Sequence, residues 1–266
     1  MTAWRQYLEE DFQASSTLPL WREAFLGVDW LSLRVSPVFR GVGIPKGDGS
    51  AVVVIPGFMG SDQYLGDMNS WLRRIGYTPY LSGIGRNAEC PDVLSLRLRD
   101  TINAAAEETG RPVHLIGHSL GGVLARSAAG RWPKKVASVT TMASPFRGVR
   151  VHPFVLQTAY LVRGRIMQRR DNGVEQKEPP NCYSGFCTCE FLNSLRKEFP
   201  AQIPQIALYT KSDGVVDWHC CINQMDNATD IEVPGTHVGL AFNPQVYKHI
   251  AHFLAEPESY RQEAVA

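Results

Sequence analysis

Short apolar runs alternate along the chain with longer segments of helical periodicity. Residues 51–55 are one alanine, three valines and an isoleucine, a composition typical of a strand buried on both faces of a parallel sheet. The same reasoning predicts further strands at 78–81, 113–116, 136–142, 206–209 and 230–233. Helices are predicted at 68–75, 93–108, 120–130 and 243–254. This alternation predicts an α/β fold with a mostly parallel sheet and helices on both of its faces.

One long interval divides the predicted core. We assign the core to residues 49–146 and 205–255, which are separated by the 58 residues of 147–204. Because a minimal α/β unit joins two strands by one helix, the extra length favours a cap or lid over a site. Residues 153–167 are predicted to form a helix that is apolar nearly all round, which must be covered or must face an apolar ligand. An ordinary crossing helix with an irregular loop is the alternative.

The two ends of the chain are predicted to behave differently. Residues 1–48 are predicted to form a helical extension packed on the core. One helical face there carries Trp21, Ala24, Phe25, Val28 and Leu31. We expect this face to pack against the core, with contact to a lipid surface as the alternative. The polar tail, residues 256–266, is predicted to be flexible.

Composition and charge narrow the class of protein. Hydrophobic residues make up 44% of the chain and charged residues 20%, as in a globular protein with a sizeable core. The net charge of +1 disfavours nucleic acid as a partner. No apolar stretch has the length of a transmembrane helix, and the first twelve residues are too charged for a secretory signal, so we expect a cytoplasmic protein. Residues 147–204 contain nine basic and five acidic residues, which leaves membrane contact open without requiring it.

Six cysteines raise the question of a metal or a disulfide. They are Cys90, Cys182, Cys187, Cys189, Cys220 and Cys221. Their spacing lacks the paired Cys-x-x-Cys of ordinary zinc sites, so we predict no metal. Buried thiols are the expected state. A single bridge between the 182–189 region and the 220–221 loop remains the alternative.

The sharpest chemical signal is the sequence Gly-His-Ser-Leu-Gly-Gly at 117–122. It follows a predicted strand directly and precedes a predicted helix, and a serine on such a tight turn has an exposed hydroxyl. The first amides of the helix favour negative charge beside it. We therefore predict Ser119 as a nucleophile, and we expect the neighbouring His118 to point away from it.

A serine nucleophile needs a base and an orienting acid. Asp213 and His237 each come just after a predicted strand, and the carboxyl ends of parallel strands are where sites form in open α/β sheets. We predict His237 as the base and Asp213 as the acid that orients it. Asp217, four residues further on, is the alternative acid. His114 lies inside a strand and is expected to be a hydrogen-bonded core residue.

A third element is the sequence Pro-Gly-Phe-Met-Gly-Ser at 56–61, after the first buried strand. Its backbone amides are placed to stabilise an oxyanion. We assign that role to the amides of Phe58 and Leu120. From their positions in the chain, Met59 and Phe146 are predicted to contact the substrate.

Taken together, the sequences at 56–61, 117–121, 212–216 and 235–237 resemble the lipase and esterase branch of the α/β-hydrolase superfamily. The resemblance covers about residues 50–255. It implies an α/β-hydrolase fold and the hydrolysis of carboxylic esters, including short- to medium-chain acyl esters or lipids, through an acyl-enzyme and without a cofactor. The implied partner is a small ester or lipid, and the oligomeric state is left open. An acyltransferase with the same triad and a non-catalytic binding protein of the same fold are the alternatives.

Overall fold

The computed structural model describes residues 18–171, 189–223 and 228–260, together with the backbone of residues 12–14. Its strands are β1 (Phe12–Ala14), β2 (Ala51–Ile55), β3 (Thr78–Leu81), β4 (Val113–His118), β5 (Val136–Met142), β6 (Val149–Val151), β7 (Gln205–Tyr209) and β8 (Ala228–Glu232). Its α-helices are α1 (Leu26–Val35), α2 (Gly66–Ile75), α3 (Pro91–Thr109), α4 (Leu120–Arg131), α5 (Pro153–Asp171), α6 (Glu190–Arg196) and α7 (Pro244–Ala255). The predicted strands and helices of the core agree with these bounds to within two residues.

The main sheet has six strands in the order β3-β2-β4-β5-β7-β8, and each neighbouring pair is parallel. Every residue of β2 and β4 is buried, and the continuous apolar run of β2 is typical of a strand covered on both faces. Val52 and Val54 of β2 belong to one apolar core, and Ala51, Val53 and Ile55 belong to the other. The predicted α/β fold with a mostly parallel sheet is confirmed.

Helices cover both faces of this sheet. The core on one face includes residues of α1, α2 and α7, and the core on the other includes residues of α3, α4 and α6. Gly110 ends α3 in the left-handed conformation, with φ of 67°, as its position after the helical pattern predicts. The helices of both layers thus pack against the sheet through these two cores.

The carboxyl ends of β2, β4, β7 and β8 lie at one edge of the sheet. The turn with Phe58 follows β2, and Ser119 follows β4. Asp213 follows β7, and His237 follows β8. Because all these strands are parallel, the four predicted elements of the site share one edge.

The interval at 147–204 contains β6, α5 and α6 among its described residues. The backbone of β6 pairs in parallel with β1, and Val151 also forms a bridge to Val216 in the loop after β7. Helix α5 begins at Pro153, as predicted, and extends to Asp171. The division of the chain into core and cap remains a prediction, although α5 and α6 both reach the cavity described below.

The apolar face of the N-terminal segment was expected to pack against the core, but it points outward. Trp21, Ala24, Phe25, Val28 and Leu31 are all exposed, with Trp21 at 66% and Leu31 at 57%. The inner side of the segment carries Leu33, which is fully buried, and the carboxylates of Glu23 and Asp29, which accept hydrogen bonds from loops of the core. The segment packs through these polar contacts and a few apolar ones, so its main apolar face points outward.

The beginning of the C-terminal tail is also different from the prediction. Tyr260 is buried, and its ring packs edge-on against Phe253 of α7. Its hydroxyl lies 2.7 Å from His249 Nδ1. These contacts dock the tail as far as residue 260, and residues 261–266 lie outside the described part of the chain.

Three of the cysteines are buried in the described part of the chain: Cys90, Cys220 and Cys221. Cys221 is a free thiol, and burial raises its pKa well above the ordinary cysteine value. Cys182 and Cys187 lie outside the described residues. The alternative bridge, as far as it involves these two cysteines, lies outside the described part of the chain.

Candidate active site

Ser119 occupies a strained backbone conformation between β4 and α4. Its φ is 52° and its ψ is −124°, a combination that is unfavourable for a residue with a Cβ atom. Such strain persists only where the surroundings hold it. Here the Ser119 amide donates to the Met142 carbonyl at 2.8 Å, which ties the turn to the end of β5. The turn places Ser119 on the wall of a cavity.

Two glycines allow the close packing behind Ser119. A Cβ atom at Gly121 would lie 2.2 Å from the Ile55 carbonyl oxygen, and one at Gly122 would lie 2.0 Å from Ser144 Oγ. Both distances are shorter than any non-bonded contact allows. Glycine at 121 therefore lets the start of α4 meet the end of β2, which brings the turn with Phe58 next to Ser119.

Asp213 and His237 form a buried pair. His237 Nδ1 lies 2.8 Å from Asp213 Oδ2. The other oxygen, Oδ1, accepts hydrogen bonds from the amides of Val215 at 2.8 Å and Val216 at 2.7 Å. Because an ionised carboxylate only accepts, His237 Nδ1 carries the proton and Nε2 of the neutral ring has the lone pair. His237 lines the same cavity as Ser119.

Competing effects act on the pKa of His237. Burial lowers it, but the charge of Asp213, the hydrogen bond to Asp213 and the charge of Glu23 outweigh burial and raise the pKa above 6.5. A carboxylate beside an imidazole favours the protonated ring, which is the form that a general base reaches when it accepts a proton. The environment thus favours proton acceptance at this position.

The alternative acid, Asp217, is placed elsewhere. Its Oδ1 lies 2.6 Å from Nδ1 of the exposed His219 and accepts from the His219 amide at 3.0 Å. His114 is buried in β4, with Nδ1 2.8 Å from Ser138 Oγ, as expected of a core histidine. The structure therefore brings together His237 and Asp213, and it pairs Asp217 with a different histidine.

His118 was expected to point away from Ser119, but its ring lies on the wall of the same cavity. Its ring is buried, lies 5.0 Å from the His237 ring and lines the cavity. Its Nε2 lies 2.9 Å from the His237 carbonyl oxygen, which can only accept, so Nε2 is the donor. Burial lowers the pKa of His118 to about 3, so its ring is neutral. The side chain of His118 thus binds the backbone of His237.

The turn after β2 is held by Asn87. The Asn87 side chain donates to the Pro56 carbonyl at 2.8 Å. Its backbone carbonyl accepts from Met59 and its amide donates to Gly60, both at 2.8 Å. Within the described residues, the amides of Phe58 and Leu120 have no acceptor of their own. The two amides assigned to an oxyanion are thus free to donate to a ligand, and their role remains a prediction.

The cavity that contains Ser119 and His237 has a volume of about 470 Å³ and mainly apolar walls. Phe146, a predicted substrate contact, is buried in its wall. Met59, the other predicted contact, lies outside this lining, and its side chain is 39% exposed. Met59 has a φ of 63° and its amide is bonded to Asn87, so the turn presents Phe58 to the cavity instead.

Glu23 is a contact that sequence reasoning missed. Its carboxylate accepts hydrogen bonds from the amides of Gly214, His237 and Val238. The segment around it has no motif, and a glutamate within a stretch of apolar periodicity is ordinarily a solvated side chain. Only the docking of this segment against the edge of the sheet reveals the contact.

Two further properties concern the described residues as a whole. None of the described helices has both the length and the apolar character needed to cross a membrane. In the same part of the chain, no group of three or more His, Cys, Asp or Glu side chains is arranged to hold a metal ion.

Comparison with known proteins defines the family. The model of the alpha/beta hydrolase family matches residues 51–224, which is more than half of the chain. The matched range includes the strained serine turn and the loop of Asp213, and His237 lies beyond it. The chain belongs to the α/β hydrolase family.

Two curated relatives are named triacylglycerol lipase. The protein from Burkholderia plantarii is 28% identical over 138 residues, which is 48% of this chain and 38% of that protein. The protein from Pseudarthrobacter phenanthrenivorans is 30% identical over 113 residues, which is 39% of this chain and 35% of that protein. The matches thus span little more than a third of the length of these relatives.

A solved structure from a study of two metagenome-derived lipolytic enzymes, LipS and LipT, is similar in three dimensions. It superposes with a TM-score of 0.56 at 17% identity, covering 80% of this chain and 96% of that one. At this identity the likeness shows a common fold.

Proposed function

We propose that the chain is a serine hydrolase that cleaves carboxylic esters through an acyl-enzyme on Ser119. The observation that carries the proposal is the 2.8 Å hydrogen bond between buried His237 and Asp213, with His237 and the strained Ser119 on the wall of one apolar cavity. The names of the two curated relatives, triacylglycerol lipase, also support ester hydrolysis.

In the acylation step, Ser119 Oγ attacks the carbonyl carbon of the ester while His237 Nε2 takes the hydroxyl proton. Asp213 stabilises the imidazolium and keeps the ring in the tautomer whose Nε2 faces the reaction. The negative charge on the tetrahedral oxygen is stabilised by the amides of Phe58 and Leu120. When the intermediate collapses, the carbon–oxygen bond to the alcohol breaks and His237 returns the proton to the departing oxygen.

In the deacylation step, a water molecule replaces the alcohol. His237 Nε2 removes a proton from this water as its oxygen attacks the acyl carbon. Collapse of the second intermediate breaks the bond to Ser119 Oγ, which recovers its proton from His237. The products are a carboxylic acid and the free enzyme, so the cycle balances without a cofactor.

The substrate class follows from the walls of the cavity. Val155 and Ala159 of α5, Leu192 and Leu195 of α6, and Phe146 supply apolar surface next to Ser119. Burial of an acyl chain against such walls is favourable by about 25 cal/mol for each Å² of apolar surface removed from water. We therefore propose short- to medium-chain acyl esters or lipids as substrates, with membrane contact permitted but not required.

The test is hydrolysis of p-nitrophenyl esters from acetate to palmitate by the wild type, by Ser119→Ala and by Ser32→Ala. Ser32 is an exposed serine of α1 and serves as the matched control. We expect Ser119→Ala to lose nearly all turnover with its fold intact, and Ser32→Ala to keep it. Equal rates for the wild type and Ser119→Ala would contradict the assignment of the nucleophile.

Two further outcomes separate the alternatives. Addition of a competing alcohol, with analysis of the products, distinguishes hydrolysis from acyl transfer, because a new ester forms only in the second case. No turnover with any ester, in a folded wild type, would favour the non-catalytic binding protein instead.

A further inference from the structure

One carboxylate from the N-terminal segment contacts both of the loops that follow β7 and β8. Glu23 lies in a short 3-10 helix at Leu20–Phe25. Its Oε1 accepts from the Gly214 amide at 3.1 Å and from the His237 amide at 3.0 Å. Its Oε2 accepts from the Val238 amide at 3.0 Å. Both oxygens of the carboxylate are thus directed at backbone next to Asp213 and at His237 itself.

The two loops come from different strands and need a connection at the edge of the sheet. Besides the bond between His237 and Asp213, the Thr210 hydroxyl donates to the Gly235 carbonyl at 2.9 Å. The Glu23 carboxylate adds three hydrogen bonds that span the two loops. Hydrogen bonds to an ionised carboxylate are about twice as strong as neutral ones, so this side chain is a substantial part of the connection.

Small residues allow the N-terminal segment to approach this closely. A Cβ atom at Gly214 would lie 2.7 Å from the Pro19 carbonyl oxygen. A Cβ atom at Gly239 would lie 1.9 Å from Asp29 Oδ2, the oxygen that also accepts from the Thr236 hydroxyl at 3.3 Å. Asp29 is thus a second contact from the same N-terminal segment to the loop of His237.

From these contacts we propose that Glu23 is a positioning residue. It holds the loops of Asp213 and His237 in the relative position that lets the two side chains act on Ser119. The inference rests on the proposed serine hydrolase function for its effect on turnover. Its structural half, that the carboxylate holds the two loops together, stands on the contacts alone.

A second consequence concerns charge. The charged or titratable groups that face His237 are Asp213, Glu23 and the neutral His118. Removal of the Glu23 charge removes one of the two carboxylate charges that raise the pKa of His237. Because the base must be neutral to accept a proton, the acid limb of the pH profile should then move to lower pH.

Three substitutions of Glu23 separate the effect of its hydrogen bonds from the effect of its charge. Glu23→Ala removes all three hydrogen bonds, and Glu23→Gln places an amide donor against at least one backbone N–H while removing the charge. Glu23→Asp retains the charge on a shorter side chain. The matched control is Glu107→Gln, at an exposed glutamate of α3.

The first readout is turnover of a p-nitrophenyl ester across pH. We expect Glu23→Ala to lower kcat by about 10²-fold, the cost of displacing a reacting group by about 1 Å, with KM little changed. Glu23→Gln should lower kcat less and shift the acid limb to lower pH, and Glu23→Asp should keep the acid limb of the wild type. Wild-type kcat and pH profiles in both the Gln and Ala variants would overturn the proposal. If Glu23→Ala does not fold, the Gln and Asp variants decide the question.

The second readout is amide hydrogen exchange of segments 213–216 and 236–238, measured by mass spectrometry in the absence of substrate. Faster exchange in these segments of Glu23→Gln, and not of Glu107→Gln, supports the connection between the loops, and unchanged exchange overturns it. This measurement does not depend on catalysis. A wild type without Ser119-dependent turnover would therefore refute the proposed function while the exchange data still decide the role of Glu23.

Discussion

The carboxylate of Asp213 accepts a hydrogen bond from His237 Nδ1 at 2.8 Å, and its other oxygen accepts from the amides of Val215 and Val216. The two oxygens thus accept three hydrogen bonds, and the carboxylate cannot rotate without losing several of them. The imidazole of His237 is held in turn, because its Nδ1 proton is bonded to this fixed carboxylate. The protein itself therefore holds the pair in one arrangement.

Asp213→Asn should lower kcat by about 10⁴-fold, as expected when a triad carboxylate becomes an amide. The Val215 and Val216 amides keep an oxygen acceptor, so the Asn NH₂ group faces His237 Nδ1 and moves the ring proton to Nε2. The ring then has no lone pair toward Ser119. The control is Asp217→Asn, whose carboxylate pairs with His219. A large loss in the control, with little effect at 213, would reverse the assignment of the acid.

Asn87→Ala should weaken oxyanion stabilisation. The substitution removes the 2.8 Å bond to the Pro56 carbonyl and loosens the turn that presents the Phe58 amide. We expect kcat to fall by up to about 10²-fold, in the range for loss of one oxyanion donor. The affinity for an alkyl boronic acid, which forms a tetrahedral adduct with the serine, should fall in parallel. A lower kcat with unchanged boronate affinity would argue against an effect on the oxyanion.

Ala159→Trp should shorten the acyl chains that the enzyme accepts. Ala159 lies on α5 in the wall of the cavity, and an indole ring there fills part of its 470 Å³. We expect the rate with octanoate to fall relative to acetate. Leu161→Trp, at an exposed position of the same helix, is the control and should leave the chain-length profile unchanged. If both variants keep the wild-type profile, the acyl chain binds elsewhere.

His114→Asn should make the protein less sensitive to acid. Burial lowers the folded-state pKa of His114 to about 4 from its ordinary 6.5. Between these values the unfolded chain binds a proton that the folded protein does not, so this histidine costs stability as the pH falls below 6.5. From pH 7.5 to pH 5 the cost is about 2 kcal/mol, at about 1.4 kcal/mol for each pH unit below 6.5.

The measurement for this prediction is urea unfolding of the wild type and His114→Asn at the two pH values. The loss of free energy of unfolding between them should be smaller in the variant by about 2 kcal/mol. The raised pKa of His237 affects the pH dependence of stability in the opposite direction. Because His237 is present in both proteins, its contribution cancels when their losses of stability are compared. An identical loss in both proteins would show that His114 titrates normally.

The strands and helices of the core could be predicted from the sequence because each depends on the residues within it or next to it. The β-branched run of β2, the glycine after α3 and the glycines around Ser119 act through the residues themselves, and the order of strands then places Ser119, Asp213 and His237 at one edge. The predictions that were wrong concern which neighbours a side chain contacts. Met59 was expected to contact the substrate but lies outside the cavity lining. His118 was expected to point away from Ser119, but its ring lines the same cavity and contacts the His237 carbonyl.

Periodicity and local glycine placement in the sequence specify the type of fold and the strained serine turn, and the positions of His237 and Asp213 after two strands make them the predicted base and acid. Only the tertiary structure decided what holds those residues in place. Glu23 reaches residues 214 and 237, about two hundred positions away, and Asn87 holds a turn thirty residues before it. No local pattern marks such contacts, because they depend on which backbone amides remain unpaired after the sheet has formed and on which segment then packs against them.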